Sequence, residues 1–182
     1  MTRNPRIFTI GHGTRSIEAF VELLHEAGIE RLVDVRTAPG SRRHPQFGQE
    51  ALAEALRRAG IEYHWAKDLG GFRKARPDSP HIALRTSGFR GYADYMQTEQ
   101  FLDARARLVA NGRGLPTAVM CAESLWWRCH RRMLSDSLTV VGCTMIHLMA
   151  GGRQEPHRLT DAVRVADGVL IYDVGQQELS AQ

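Results

Sequence analysis

The sequence predicts an α/β fold: a single three-layer, Rossmann-like domain over residues 1–182, with a mainly parallel sheet of about five to six strands. Two observations carry this. Short apolar runs of strand length alternate with amphipathic segments of helical period. The helical segments also serve as crossovers, which join strands in parallel. A chain of 182 residues, 43% hydrophobic and 24% charged, is long enough to bury its own core without disulfide or metal staples.

The first strand is residues 7–10, Ile-Phe-Thr-Ile, stopping at Gly11-His12-Gly13-Thr14. Ser16 is a helix cap, and Ile17, Phe20, Val21, Leu24 and Ala27 fall on one helical face before Gly28, a residue suited to a left-handed helix end. Residues 32–35 form the second strand, ending in Arg36 and the turn Pro39-Gly40-Ser41. A helix from about Gln49 turns Leu52, Ala55, Leu56 and Ala59 inward and stops at Gly60, and residues 61–65 form the third strand. From 66 to 90 the periodicity fails. That stretch holds Gly70-Gly71, Pro77, Pro80 and Gly88 with Arg73, Lys74, Arg76, Arg85 and Arg90, and a loop this long inside one domain is usually functional or mobile. Residues 92–109 are helical with a break near Thr98. Pro116 leads into the fourth strand, Thr117–Cys121, and a helix from about Arg128 or Cys129 carries Met133, Leu134, Leu138 and Val141 to Gly142. Thr144–Leu148 is the fifth strand. A short helix at 159–165 and a strand at Val169–Tyr172 are expected to end the chain.

No apolar run approaches the roughly 18 residues of a membrane span. Residues 1–6 have no apolar segment behind them, so a cytoplasmic protein with no membrane partner is expected. Three cysteines are too few for a disulfide framework, and in a reducing compartment they are thiols. Only Lys67 and Lys74 of the 24 basic residues are lysines, and the net charge is +4 with an isoelectric point near 9.3. That charge is too small to argue for nucleic acid by itself, while arginine's planar fork suits carboxylate and phosphate groups.

Parallel strands open their carboxyl ends onto one edge, where ligands bind. This places the His12 turn, Asp34 with Arg36, the His64 neighbourhood and the Cys121 loop together. Cys121 closes a strand, and Cys129, His130 and Arg131 open the next helix. A thiol facing a helix N-terminus among arginines favours its thiolate, and the same arrangement binds oxyanions. Cys121 or Cys129 is therefore the candidate nucleophile, His12 or His130 the proton carrier, and Glu123 either a base or a partner of Arg128. Cys143 reads as a packing residue. Trp126 and Trp127 suit stacking on a ring, or a lid or subunit contact. The turn after the first strand holds half of a phosphate-binding fingerprint, with Ser16 where its third glycine belongs. The spacing of Cys121 and Arg128 fails the tyrosine-phosphatase pattern. Seven residues between Cys121 and Cys129 match no common zinc spacing and no haem-attachment motif.

Residues 9–15 (Thr-Ile-Gly-His-Gly-Thr-Arg), 32–36 with Pro39, 69–73 (Leu-Gly-Gly-Phe-Arg), Phe89 with Tyr92, and 120–123 followed by Cys129-His130-Arg131 together resemble the bacterial and archaeal family catalogued as domain of unknown function 488. The likeness runs from about 7 to 148, with 149–182 as a C-terminal extension. It implies an α/β domain and no settled activity. Gly13 stands where serine is more usual, which argues against a proton donor there, and Leu125-Trp126 stands where proline is common. In layout the chain is more loosely similar to rhodanese-type domains. That likeness implies a sulfur-accepting thiolate at Cys121, although their tight cysteine loop is absent.

The expectation is a cysteine-dependent transferase or hydrolase acting on an anionic, phosphate-bearing or nucleotide-like small molecule. Gly11, Asp34, Arg36, Gly70, Gly71, Arg73, Tyr92, Arg128 and Arg131 line its binding site. No metal ligand or particular cofactor is assigned, and a homo-oligomer is an option. A nucleic-acid or nucleotide-binding module without chemistry is the alternative, and a zinc protein using Cys121, Cys129 and His130 the second.

Overall fold

The computed structural model describes residues 4–40 and 42–174. Residues 1–3 of the leader reading, Ser41 of the expected turn, and 175–182 lie outside them. Strands β1 (Arg6–Gly11), β2 (Arg31–Asp34), β3 (Glu62–Trp65), β4 (Thr117–Cys121), β5 (Thr144–Leu148) and β6 (Gln154–Pro156) form one sheet in the order β3-β2-β4-β1-β5-β6. Its first five members are parallel, and β6 is an antiparallel edge strand. Pro156, which has no N–H for a further neighbour, suits that edge.

Alternation along the strands feeds two cores. Phe8, Ile10, Leu32, Ala118 and Met120 pack against α1 (Ile17–Glu26) and α2 (Gln49–Arg58) through Phe20, Leu24, Leu52 and Leu56. On the other face Ile7, Val33, Val119 and Met145 meet α3 (Ser87–Tyr95), α4 (Glu99–Gly114) and α5 (Arg131–Val140) through Tyr92, Phe101, Leu108, Met133 and Leu134. These are the three layers, and each fully buried side chain of this size contributes roughly 1.5–3 kcal/mol. Hydroxyl side chains start three helices: Ser16 accepts from the Ala19 N–H, Thr86 from Phe89 and Thr98 from Phe101. Thr98 is thus the break between α3 and α4.

The helix expected from 92 starts at Ser87, inside the stretch read as a loop, and three further segments differ from expectation. Residues 159–165 are not helical. Val163–Ala166 is strand β7, paired with β8 (Val169–Tyr172) in a separate two-stranded sheet. Asp167 and Gly168 both take positive φ (51° and 77°), the turn that Asp-Gly selects in a tight hairpin. The hairpin lays Leu170 and Tyr172 on the α3–α5 core, and the sixth strand of the main sheet is β6 instead. Finally, α5 starts at Arg131: residues 126–128 form a separate 3₁₀ turn, and Cys129 is extended (φ −127°, ψ 156°).

The connection after β1 leads to α1 on one face, and that after β4 leads to α5 on the other. The carboxyl end of β4, between β1 and β2, is therefore a topological switch point, where such sheets leave a crevice.

Candidate functional site

Cys121 is the last residue of β4, so the crevice opens beside its thiol. Cys129 follows the 3₁₀ turn and returns to it: the two Sγ atoms lie 2.8 Å apart, both cysteines are free, and they are 3% and 6% exposed. His130 Nδ1 is 3.5 Å from the Cys129 sulfur, while its Nε2–H donates to the Val35 carbonyl at 3.2 Å. The Arg131 amide also points at Cys129 (3.5 Å), from the first turn of α5.

The hydrogen bond from Cys121 holds the Cys129 thiol well below its ordinary range. His130 and Arg131 add to it, and burial opposes it. Burial, with the bond to Cys129, pushes the Cys121 thiol up. Arg131 Nε sits 3.0 Å from Cys121 and pulls the other way. Burial and the shared proton outweigh it, so of the two sulfurs Cys129 is the more readily ionised.

A cavity of about 450 Å³ opens above the pair. Of the residues singled out in the sequence, Cys121, Cys129, His130, Glu123, Arg128, Arg36, Gly71 and Tyr92 line it. The Tyr92 ring meets His130 edge-on, with centroids 5.1 Å apart, and its hydroxyl donates to the Leu69 carbonyl. At Gly71 a Cβ would stand 3.2 Å from His130 Nδ1, so glycine lets the loop close over the imidazole. The Glu123 carboxylate accepts from the Leu125 N–H, and Arg128 is exposed on the wall. Arg36 is tied to Asp34, which is fully buried and also accepts from the Tyr63 hydroxyl.

The other candidates lie elsewhere. The His12 backbone touches the loop, its N–H donating to the Cys121 carbonyl, but the ring stacks on Phe47 at 4.3 Å on the α1–α2 side. Burial lowers its pKa to about 4. Gly11 is under the Glu123 carbonyl, which leaves no room for a side chain. Gly70 packs on Thr37, and the Arg73 guanidinium lies 3.7 Å over the Tyr95 ring. Arg131 is buried behind the thiols, donating to Cys121, Thr9 and the Glu123 carbonyl. Trp126 turns inward and stacks on His147 (4.0 Å, 4° between planes).

Two features escaped the sequence reading. Phe72 and Phe89 add apolar wall to the cavity, Phe72 being 96% exposed with φ 56°. Behind the thiols runs a buried polar chain. Arg131 donates to Thr9 Oγ1 (3.3 Å), which leaves the Thr9 hydroxyl to donate to His147 Nδ1 (2.7 Å). His147 Nε2 then donates to His157 Nδ1 (3.0 Å), and His157 Nε2 to Asp136 (2.9 Å). Burial lowers the His147 pKa to about 3, with His157 and Arg131 adding to it. The histidines are ten residues apart and brought together by the β5–β6 pairing; no local spacing signals them.

Two thiolates on one tetrahedral zinc stand roughly 3.8 Å apart, given Zn–S bonds of about 2.3 Å. The closer sulfur pair here is a shared-proton contact. Among the described residues no group of three or more His, Cys, Asp and Glu side chains is arranged to hold a metal ion. A larger groove of about 860 Å³ at the opposite edge is lined by Arg6, Arg113 and backbone turns, with no thiol, imidazole or carboxylate on it among the described residues.

Fold and pocket define a three-layer α/β protein with two adjoining thiols at its switch point. The chain belongs to the family described as Domain of unknown function DUF488, whose model matches residues 16–138, well over half its length. No curated protein and no solved structure gave a significant match. Among the described residues no helix is long and apolar enough to cross a membrane.

Proposed function

We propose that this protein is a cysteine-dependent enzyme that acts on a small anionic molecule, with Cys129 as nucleophile. One observation carries the reading: the Cys129 sulfur lies at a cavity wall and is contacted by the Cys121 thiol, the His130 imidazole and the Arg131 amide. All three stabilise a thiolate, the reactive form. His130 adjoins the reacting atom and serves as the proton carrier. Arg128, exposed on the wall, anchors the anionic group, and Phe72, Phe89 and Tyr92 cover the rest of the substrate. With Cys129 only 6% exposed, the electrophile must be small and the attack short-range.

Iodoacetamide alkylation read residue by residue across pH tests this. Cys129 should label with a midpoint below the ordinary thiol value of about 8.5, and the rate should fall as pH drops through that midpoint. Inorganic phosphate or a nucleoside monophosphate should slow it, and Arg128→Ala should remove the protection. Slow labelling of both cysteines with an ordinary midpoint would overturn the proposal.

A further inference from the structure

We propose that Cys121 and Cys129 are a redox couple that reduces small hydroperoxides through a reversible disulfide between them. This rests on Cys129 being the nucleophile and gives that thiolate a second electrophile, uncharged and distinct from the anionic substrate. The sulfurs are 2.8 Å apart, and a disulfide at about 2.05 Å needs a further approach of under about 1 Å. Neither thiol is committed elsewhere by a covalent bond. Both face one cavity. Cys143 sits just before β5, at the opposite edge of the sheet, too far to compete.

The burial selects the oxidant. Exchange with a protein disulfide needs a sulfur approached in line by another chain, which exposures of 3% and 6% forbid. A hydroperoxide needs only one terminal oxygen to reach the thiolate. The aromatic walls of the 450 Å³ cavity (Phe72, Phe89, Tyr92) take an organic tail.

In the first step the Cys129 thiolate attacks the terminal oxygen of ROOH. An S–O bond forms and the O–O bond breaks, and the alkoxide leaves as ROH with the proton that Cys129 had given to His130. In the second, the Cys121 thiol attacks the sulfenic sulfur. The S–S bond forms, the S–O bond breaks, and the hydroxide leaves as water with the Cys121 proton. The sulfurs lose two electrons and the peroxide gains them. A small external dithiol returns the pair to its reduced form by exchange.

The test is stoichiometric oxidation of the reduced full-length chain by cumene hydroperoxide, followed by intact mass and peptide mapping. The expected product has lost two hydrogens, links Cys121 to Cys129, leaves Cys143 alkylatable and reverts with dithiothreitol. Cys121→Ser should instead accumulate a dimedone-trappable sulfenic acid on Cys129, and Cys129→Ser should consume no peroxide faster than free cysteine does. Circular dichroism checks that both variants fold. Over-oxidation of wild-type Cys129 with Cys121 left free, a linkage through Cys143, or consumption no faster than that of Cys129→Ser overturns the couple. If Cys129 nonetheless alkylates quickly with a low midpoint, the nucleophile stands and only the redox role falls; slow alkylation removes both.

Discussion

At the scale of single residues the site turns on which sulfur carries the charge. Cys121 is the more deeply buried and Cys129 the better supplied with donors, so Cys129 gives up its proton more readily than Cys121. Cys121→Ala removes the donor that contributes most to Cys129. Its alkylation midpoint should rise, because the thiolate then keeps only His130 and Arg131, and a pH–rate profile reads the shift. His130→Asn should raise the same midpoint by removing the imidazole 3.5 Å from the sulfur. Arg131 is best understood as a positioning residue: its guanidinium is spent on Cys121, Thr9 and two loop carbonyls. Lysine cannot reproduce that fork, so Arg131→Lys should lower both stability and the rate of Cys129 alkylation.

At the scale of elements, Asp136 joins α5 to the C-terminal segment. Its carboxylate accepts from His157, from the Thr160 N–H and hydroxyl, and from the Tyr172 hydroxyl, all buried or nearly so. Asp136→Ala would strand those donors, and each buried unsatisfied group costs about 1–3 kcal/mol. The expected outcome is a loss of roughly 3 kcal/mol or more in urea denaturation. Faster hydrogen exchange should be confined first to the β7–β8 hairpin and the strand before it. Uniform exchange across the sheet would show that the network is not what holds that segment. The hairpin itself was readable in Asp167-Gly168, which stands between the helix expected over 159–165 and the strand at 169–172.

For the whole molecule, two buried histidines on opposite faces of the sheet set a pH dependence. His12 is lowered to about 4 and His147 to about 3, while an unfolded histidine titrates near 6.5. The unfolded chain therefore binds more protons below pH 6.5, and stability falls as pH drops through that value. Each histidine should cost about 2 kcal/mol between pH 7 and pH 5. Chemical denaturation at the two pH values measures their joint share together with that of His81, whose pKa burial also lowers. His12→Asn should remove one share of the slope, whatever it does to stability at pH 7.

Hydrophobic periodicity, helix caps and strand-length runs determined the layered α/β architecture, and the edge rule for parallel sheets brought Arg36 and the Cys121 loop with Arg128, Cys129 and His130 to one neighbourhood, because these signals are local and physical at each position. What only the tertiary structure decided were the side-chain directions and the long-range partners. A strand turns alternate residues to opposite faces, so His12 is next to Cys121 along the backbone yet has its ring against Phe47. Arginines that look alike in a list of cations became a buried ion pair at Arg36, a ring-stacked cation at Arg73, a brace behind the thiols at Arg131 and an exposed wall at Arg128. The Asp136–His157–His147–Thr9 chain draws on residues up to 148 positions apart in number, held together by β1, β5 and β6. Such contacts are made by strand pairing and core packing, whose partners no local pattern specifies.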